Sequence, residues 1–277
     1  MPFGVVELCD PHEAYAQAGN FLVAQPTLHN VLLTVLGQSR ELAIDGRFWI
    51  VRDGAAVVGF AMQSPPGMLV GLAHMPDDAT RALAEAIDPR IPGVLGVTAV
   101  TATFAGHFAE RNHVAASPAG AGRIFELGTP QSAAPAPGSR RLATMEDWPT
   151  LLEWSIAFAG DTDTTRGPTP EMAARIISLG QWWIWDDHGP VSMVRFSDTA
   201  AGIVRVQHVY TPPERRGNGY AAASVAHLGR DLTDRGLRCV LYTDLSNPTS
   251  NAIYLRLGYE PIAEVLSYRF GATAPNP

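Results

Sequence analysis

The chain has 277 residues, room for one large domain or two ordinary ones, and its 46% hydrophobic and 17% charged content is that of a globular chain with a sizeable core. A net charge of −7 excludes a bulk electrostatic grip on nucleic acid or anionic lipid. All 20 basic residues are arginine, which suggests a high-GC bacterial genome and excludes both a lysine Schiff base and a phosphate-loop lysine.

The two cysteines, Cys9 and Cys239, form no CxxC pair and read as separate reduced thiols. The start "MPFGVVELCD" shows no basic leader followed by an apolar stretch, and no apolar run is long enough to span a bilayer. A cytoplasmic protein with no membrane partner is the expectation. In the first half, "FGVVELCD" predicts a strand and Ala14 to Leu42 predicts mostly helix. "FWIVRDGAAVVGFAMQ" predicts a hairpin, "GMLVGLA" a strand and "PDDATRALAEAI" a helix; "GVLGVTAV", "TATFAGHFAERN" and "GRIFELG" follow.

Small residues and prolines without periodicity make "GTPQSAAPAPGSRR" a linker. It divides the chain into 1–128, a linker over 129–139, and 140–277. The second half opens with a short strand at Arg141 to Ala143, then a helix capped by Thr144 with Asp147 three residues on. "TPEMAARIISLG" predicts a second helix with Thr169 as cap, Pro170 first and Gly180 at its end. A hairpin "WWIWDDHGPVSMVRFS", a strand "AGIVRVQHVY", a helix from Gly219 to about Arg235 and a strand "RCVLYTD" come next. A helix from Pro248 to Leu257 precedes two closing strands near Tyr259 and Tyr268. The first half repeats this order, though not the residues. Where the second half has "RRGNGYA" the first has "AHMPDDATRA", whose aspartates disfavour anion binding.

The loop "VYTPPERRGNGYAAA" admits more than one reading. Gly217, Gly219 and Ala222 fit G-x-G-x-x-A of a dinucleotide loop, with Asp244 near the place of a ribose-binding acid. Against it, "TPPERR" separates the strand from the first glycine, and too little chain follows for a doubly wound sheet. A nucleotide phosphate loop would need a lysine. The third reading is a pyrophosphate held by backbone N–H groups at a helix start, which glycines leave open to close approach.

Arg216-x-x-Gly219-x-Ala221 resembles the coenzyme A loop of the GNAT superfamily of N-acyltransferases. "NPTSNAIYLRLGY", from Asn247 to Tyr259, is similar to that superfamily's second signature, N-x-x-[SA]-x-x-[LIF]-Y-x-x-x-G-[FY], at each fixed position. The resemblance covers roughly Arg140 to Phe270. It implies an α/β fold of two tandem GNAT-like domains, each a mixed, mostly antiparallel twisted sheet flanked by helices, with a degenerate first copy. It also implies transfer of an acyl group from acetyl-CoA or another acyl-CoA, the co-substrate, to a small-molecule amine or peptide N-terminus. The first half would shield the second or support a homodimer. Competing readings are a non-catalytic acyl-CoA-binding protein and a dinucleotide-binding oxidoreductase.

Residue by residue, the resemblance implies that Tyr254 protonates the departing thiolate. Arg215, Arg216, Gly217, Asn218, Gly219, Tyr220 and Ala221 would hold the pyrophosphate, and Val209 and Tyr210 would offer backbone to the pantetheine from a splayed strand. Asn247 is a ready-made helix cap or a pantetheine contact, and Asn251 faces either cofactor or solvent. Many members keep a glutamate on the strand that here reads Arg205, Val206, Gln207, His208. Gln207 or His208 stands in its place, with simple alternation allowing only one of them to face the acceptor. Asp161 and Asp163 in "FAGDTDTTRGP" read as an acidic loop that either attracts a cationic amine or lies in solvent. The tryptophans at 182, 183 and 185 read as packing, and eight scattered histidines without ligand spacing predict no metal.

Overall fold

The computed structural model describes residues 3–162 and 168–272. Asp163 lies outside the described residues, and so does the side chain of Asp161. The chain forms two compact units, one of residues 1–124 with 262–277, the other of residues 125–261.

In the first unit β1 (Phe3–Leu8), β2 (Arg47–Asp53), β3 (Ala56–Gln63) and β4 (Val70–Leu72) are antiparallel neighbours, and β5 (Gly93–Val97) runs parallel to β4. The helices are α1 (Pro11–Val23), α2 (Asn30–Glu41), α3 (Asp77–Ala86) and α4 (Thr98–Asn112). The sheet continues past β5 with residues from the end of the chain. Val265–Arg269 of β12 (Tyr259–Ala272) pair antiparallel with β5, and β6 (Val114–Leu127) follows. Tyr259 and Tyr268 therefore lie on one long strand, where the sequence predicted two. The division at 128 and 140 also needs correcting, because Ile262 onward belongs with the first unit. Among the described residues, α3 starts at Pro76 without a side-chain cap and carries Asp77 and Asp78 in its first turn. Those two carboxylates oppose the positive end of the helix dipole, where an anion would otherwise be favoured.

The second unit repeats the layout. β7 (Ser139–Leu142), β8 (Trp182–Asp186), β9 (Pro190–Phe196) and β10 (Ile203–Tyr210) are antiparallel neighbours, and β11 (Arg238–Asp244) runs parallel to β10. Its helices are α5 (Trp148–Thr162), α6 (Pro170–Ser178), α7 (Tyr220–Asp234) and α8 (Pro248–Arg256). The caps agree with the sequence. Thr144 and Asp147 form a capping box, and Thr169 accepts from Met172 N. Burial divides by sheet face. Val194, Phe196, Val204, Val206, Cys239 and Leu241 meet α7 and Tyr254, whereas Trp182, Ile184 and Met193 meet Leu151 and Trp154 of α5 and Ile176 of α6. The tryptophans alternate accordingly, Trp182 on one face and Trp183 on the other.

Residues 129–138 lie along the second unit as a strap. Gly128 N donates to Gly258 O and Gln131 N to Leu257 O, both at 3.0 Å, and Trp185 Nε1 donates to Pro137 O at 2.6 Å. Gly258 has φ +90°, and a Cβ there would run into the Thr129 carbonyl. The motif glycine thus ends α8 and also admits the strap.

Candidate functional site

The site is built where β10 and β11 part. Their parallel pairing runs from Ile203–Arg238 to Val206–Leu241, while β10 continues to Tyr210 and β11 to Asp244. A register shift between Gln207 and Tyr210 separates β10's last residues from regular pairing with β9. His208 lies inside this bulge with φ +50°, in the left-handed region that histidine enters more readily than bulky apolar residues do.

A tight 3-10 turn, Pro213–Arg215, carries the chain from β10 to the glycines. Gly217 and Gly219 have φ of +86° and +81°, and residues 213–219 are all exposed. Gly219 is the N-cap of α7 and its φ suits glycine, while no side chain caps the helix. The first N–H groups of α7 consequently lack helical partners and face outward with the positive end of its dipole. Asn218 Nδ2 donates to Arg215 O at 3.0 Å and Arg216 Nε donates to Thr211 O at 3.0 Å, so both side chains shape the loop. Tyr220 is directed elsewhere: its hydroxyl donates to Asp187 at 2.6 Å. Only its backbone is available to a ligand at the loop. Tyr210 is buried against Trp154, and its carbonyl already accepts from Ser192 Oγ at 2.9 Å.

Asn247 is the cap of α8, accepting from Ser250 N at 3.0 Å. Asn251 departs from the expectation of a cofactor contact. Its Nδ2 donates to Asp244 O at 2.9 Å and Asn247 O at 2.7 Å, and its Oδ1 accepts from Thr243 at 2.7 Å. Both donors are used, so Asn251 braces α8 against the end of β11. Asp244 is also committed, its Oδ1 accepting from Ser246 N and Oγ, which counts against the ribose-binding role.

Tyr254 projects from α8 into the core and is 9% exposed, its ring 6.4 Å from that of Phe125 and 5.8 Å from that of Tyr259. Desolvation pushes its phenol up to about 12, so it holds its proton more firmly than a free tyrosine.

The strand expected to supply a base shows a further departure. The bulge breaks the alternation: Gln207 Oε1 accepts from Arg205 Nη2 at 3.2 Å, while His208 stacks on Phe158 of α5 with ring centres 5.1 Å apart. Both thus belong to the α5–α6 face. Burial first, then the charges of Arg195 and Arg205, push the His208 imidazole down to about 3. It is neutral at pH 7 and a poor proton acceptor, not the base its ordinary value suggested. Its Nδ1 is buried without a hydrogen-bond partner. Arg195, opposite Gln207 on β9, was missed entirely in the sequence, where it reads as one hairpin residue among several. Among the described residues no cluster of His, Cys, Asp and Glu is arranged to hold a metal ion, and no helix is long and apolar enough to cross a membrane.

Residues 200–268, the stretch containing both the glycine loop and α8, match the model of the FR47-like protein family. No curated protein matches the chain. Solved structures match it over nearly its whole length. A GNAT-family acetyltransferase from Colwellia psychrerythraea is 11% identical with a TM-score of 0.62, covering 97% of this chain and 100% of its own. A GCN5-related N-acetyltransferase from Sphaerobacter thermophilus is 16% identical, TM-score 0.58, over 96% and 95% of the two chains. A tandem GNAT protein from the clavulanic acid biosynthesis pathway is 14% identical, TM-score 0.58, over 99% and 100%.

Proposed function

We propose that this chain, which has the tandem GNAT fold and an FR47-like segment, is an acyl-CoA-dependent N-acyltransferase with its active site in the second unit. The observation that carries the reading is the divergence of β10 from β11 beyond Val206 and Leu241, directly ahead of an exposed glycine loop that opens α7. A thioester arm fits between parting strands, and a pyrophosphate fits the N–H groups of the helix start. Arg215 and Arg216 flank it. The dinucleotide reading loses its support, since the fold is mixed and largely antiparallel and Asp244 is occupied.

In the proposed reaction the amine nitrogen attacks the thioester carbonyl, with backbone N–H near Val209 or Tyr210 polarising its oxygen. The C–N bond forms and the C–S bond breaks, one amine proton going to solvent and the sulfur leaving as thiol. Tyr254 donates a hydrogen bond to that sulfur. With its phenol near 12 and a thiol reference near 8.5, complete transfer would be uphill by roughly 5 kcal/mol. Its contribution is therefore donation to developing charge, and the final proton comes from water. Gln207 is a positioning group for the acceptor. The first unit is a structural partner without its own donor site.

Calorimetric titration with acetyl-CoA and with NADH tests the reading, followed by thiol release on adding amines. Binding of acetyl-CoA but not NADH, with amine-dependent thiol release, is expected. Binding of NADH alone overturns it, and acetyl-CoA binding with no release for any amine class supports the non-catalytic alternative.

A further inference from the structure

Arg195 is a half-buried cation on the α5–α6 face of the second unit's sheet, and its Nε has no hydrogen-bond partner. It makes no ion pair with a described residue. Asp198, a described acid whose charge acts on it, accepts from Gln181 Nε2 at 2.7 Å and pairs with Arg175 at 3.5 Å. Desolvation and the neighbouring charge of Arg205 push the Arg195 guanidinium down to about 10. Gln207 stands opposite Arg195 on β10, and His208, neutral and with its own orphaned Nδ1, is close enough to feel its charge. Two unsatisfied polar groups and an uncompensated cation thus border the bulge at which the proposed thioester carbonyl would sit. A buried charge without a partner destabilises a fold, and such groups persist where a ligand supplies the partner.

We propose that Arg195 receives an anionic group of the acyl acceptor, so that the acceptor is a primary amine carrying a carboxylate or phosphate. The inference rests on the acyltransferase reading. The guanidinium fork matches either anion through two parallel N–H donors. Gln207 and the His208 nitrogen remain for the acceptor's amine or neighbouring polar groups. A dicationic amine is repelled by the same charge, and a neutral amine leaves Arg195 unpaired.

Two arms test this and separate it from the enzymatic reading. Calorimetry of β-alanine, 2-aminoethylphosphonate, ethanolamine and 1,4-diaminobutane on the full chain with coenzyme A reads binding without chemistry. Thiol release from acetyl-CoA with the same four amines reads transfer. The expected order places either anionic amine at least about tenfold ahead of ethanolamine and the diamine last, the better of the two distinguishing carboxylate from phosphate. Arg195→Met should weaken the anionic amines about 10- to 100-fold, erase the preference and leave acetyl-CoA affinity unchanged. It should also leave the melting temperature unchanged or raised, because an unpaired buried charge is removed. Equal binding of all four amines overturns the proposal, as does wild-type selectivity in Arg195→Met. Anion-selective binding without thiol release keeps the anion site and overturns transfer.

Discussion

Gly219→Glu separates donor recognition from folding. The left-handed φ of +81° costs an L-residue roughly 1–2 kcal/mol, yet a Cβ meets nothing closer than Ala136 at 3.8 Å, so strain and not collision is the folded-state penalty. A carboxylate at the start of α7 also complements the helix dipole, returning about 0.3–1 kcal/mol. The net destabilisation is about 1 kcal/mol, small enough for the variant to fold. Donor binding changes far more. A carboxylate about 4 Å from a pyrophosphate charge at an effective dielectric near 20 repels it by ~4 kcal/mol, close to a thousandfold in Kd. Titration calorimetry with coenzyme A reads the affinity, and thermal unfolding in its absence reads the fold. Gly219→Ala has the strain without the charge and should keep most of the affinity. A folded Gly219→Glu protein binding coenzyme A with wild-type affinity would refute the assignment of the loop.

Tyr254→Phe keeps the ring contacts with Phe125 and Tyr259, so coenzyme A affinity and stability should hold while single-turnover acyl transfer falls by roughly 10²–10³, the cost of one donor to developing charge. A wild-type single-turnover rate would remove the hydroxyl from the mechanism. A fragment beginning at Ser139 leaves Val265–Arg269 without the β5 partner they pair with in the full chain. It should self-associate through that unpaired edge, visible in sedimentation, and a monodisperse, fully active fragment would contradict this.

What was legible in the sequence was local. The glycines at 217 and 219, the Asn247 cap and the glycine at 258 are backbone requirements that leave a residue signature wherever they occur. The caps at Thr144 and Thr169 were legible for the same reason. Non-local pairing was not. The alternation of Ile262 to Ala272 suits any half-buried strand, and nothing in it names β5 as the partner. Nor could "APAPG" show that it would lie against α7 and Trp185 as part of a strap instead of hanging free. His208 was misplaced because a bulge moves a side chain to the other face without altering the strand's composition. Asn251 lies one turn before Tyr254 on α8, but its amide is consumed by the end of β11.

The acceptor must lose a proton, and the strand offers Gln207, which does not titrate, and His208, held near 3. Burial provides another route. An alkyl ammonium has a reference pKa near 10, and loss of its water in a half-buried site disfavours the charged form. A shift of about two units raises the neutral fraction at pH 7 from about 0.1% to about 10%. Proton loss then goes directly to solvent, without an enzyme base. For an acceptor with an alkyl amine, kcat/KM should therefore climb through neutral pH, with no inflection near 6.5. In the complex, kcat should level off near pH 8, below the pKa of the free amine. The pH dependence of both constants with one anionic amine measures this. A rise in kcat/KM centred near 6.5 that vanishes in His208→Gln would show that the histidine takes the proton, and would overturn the desolvation argument.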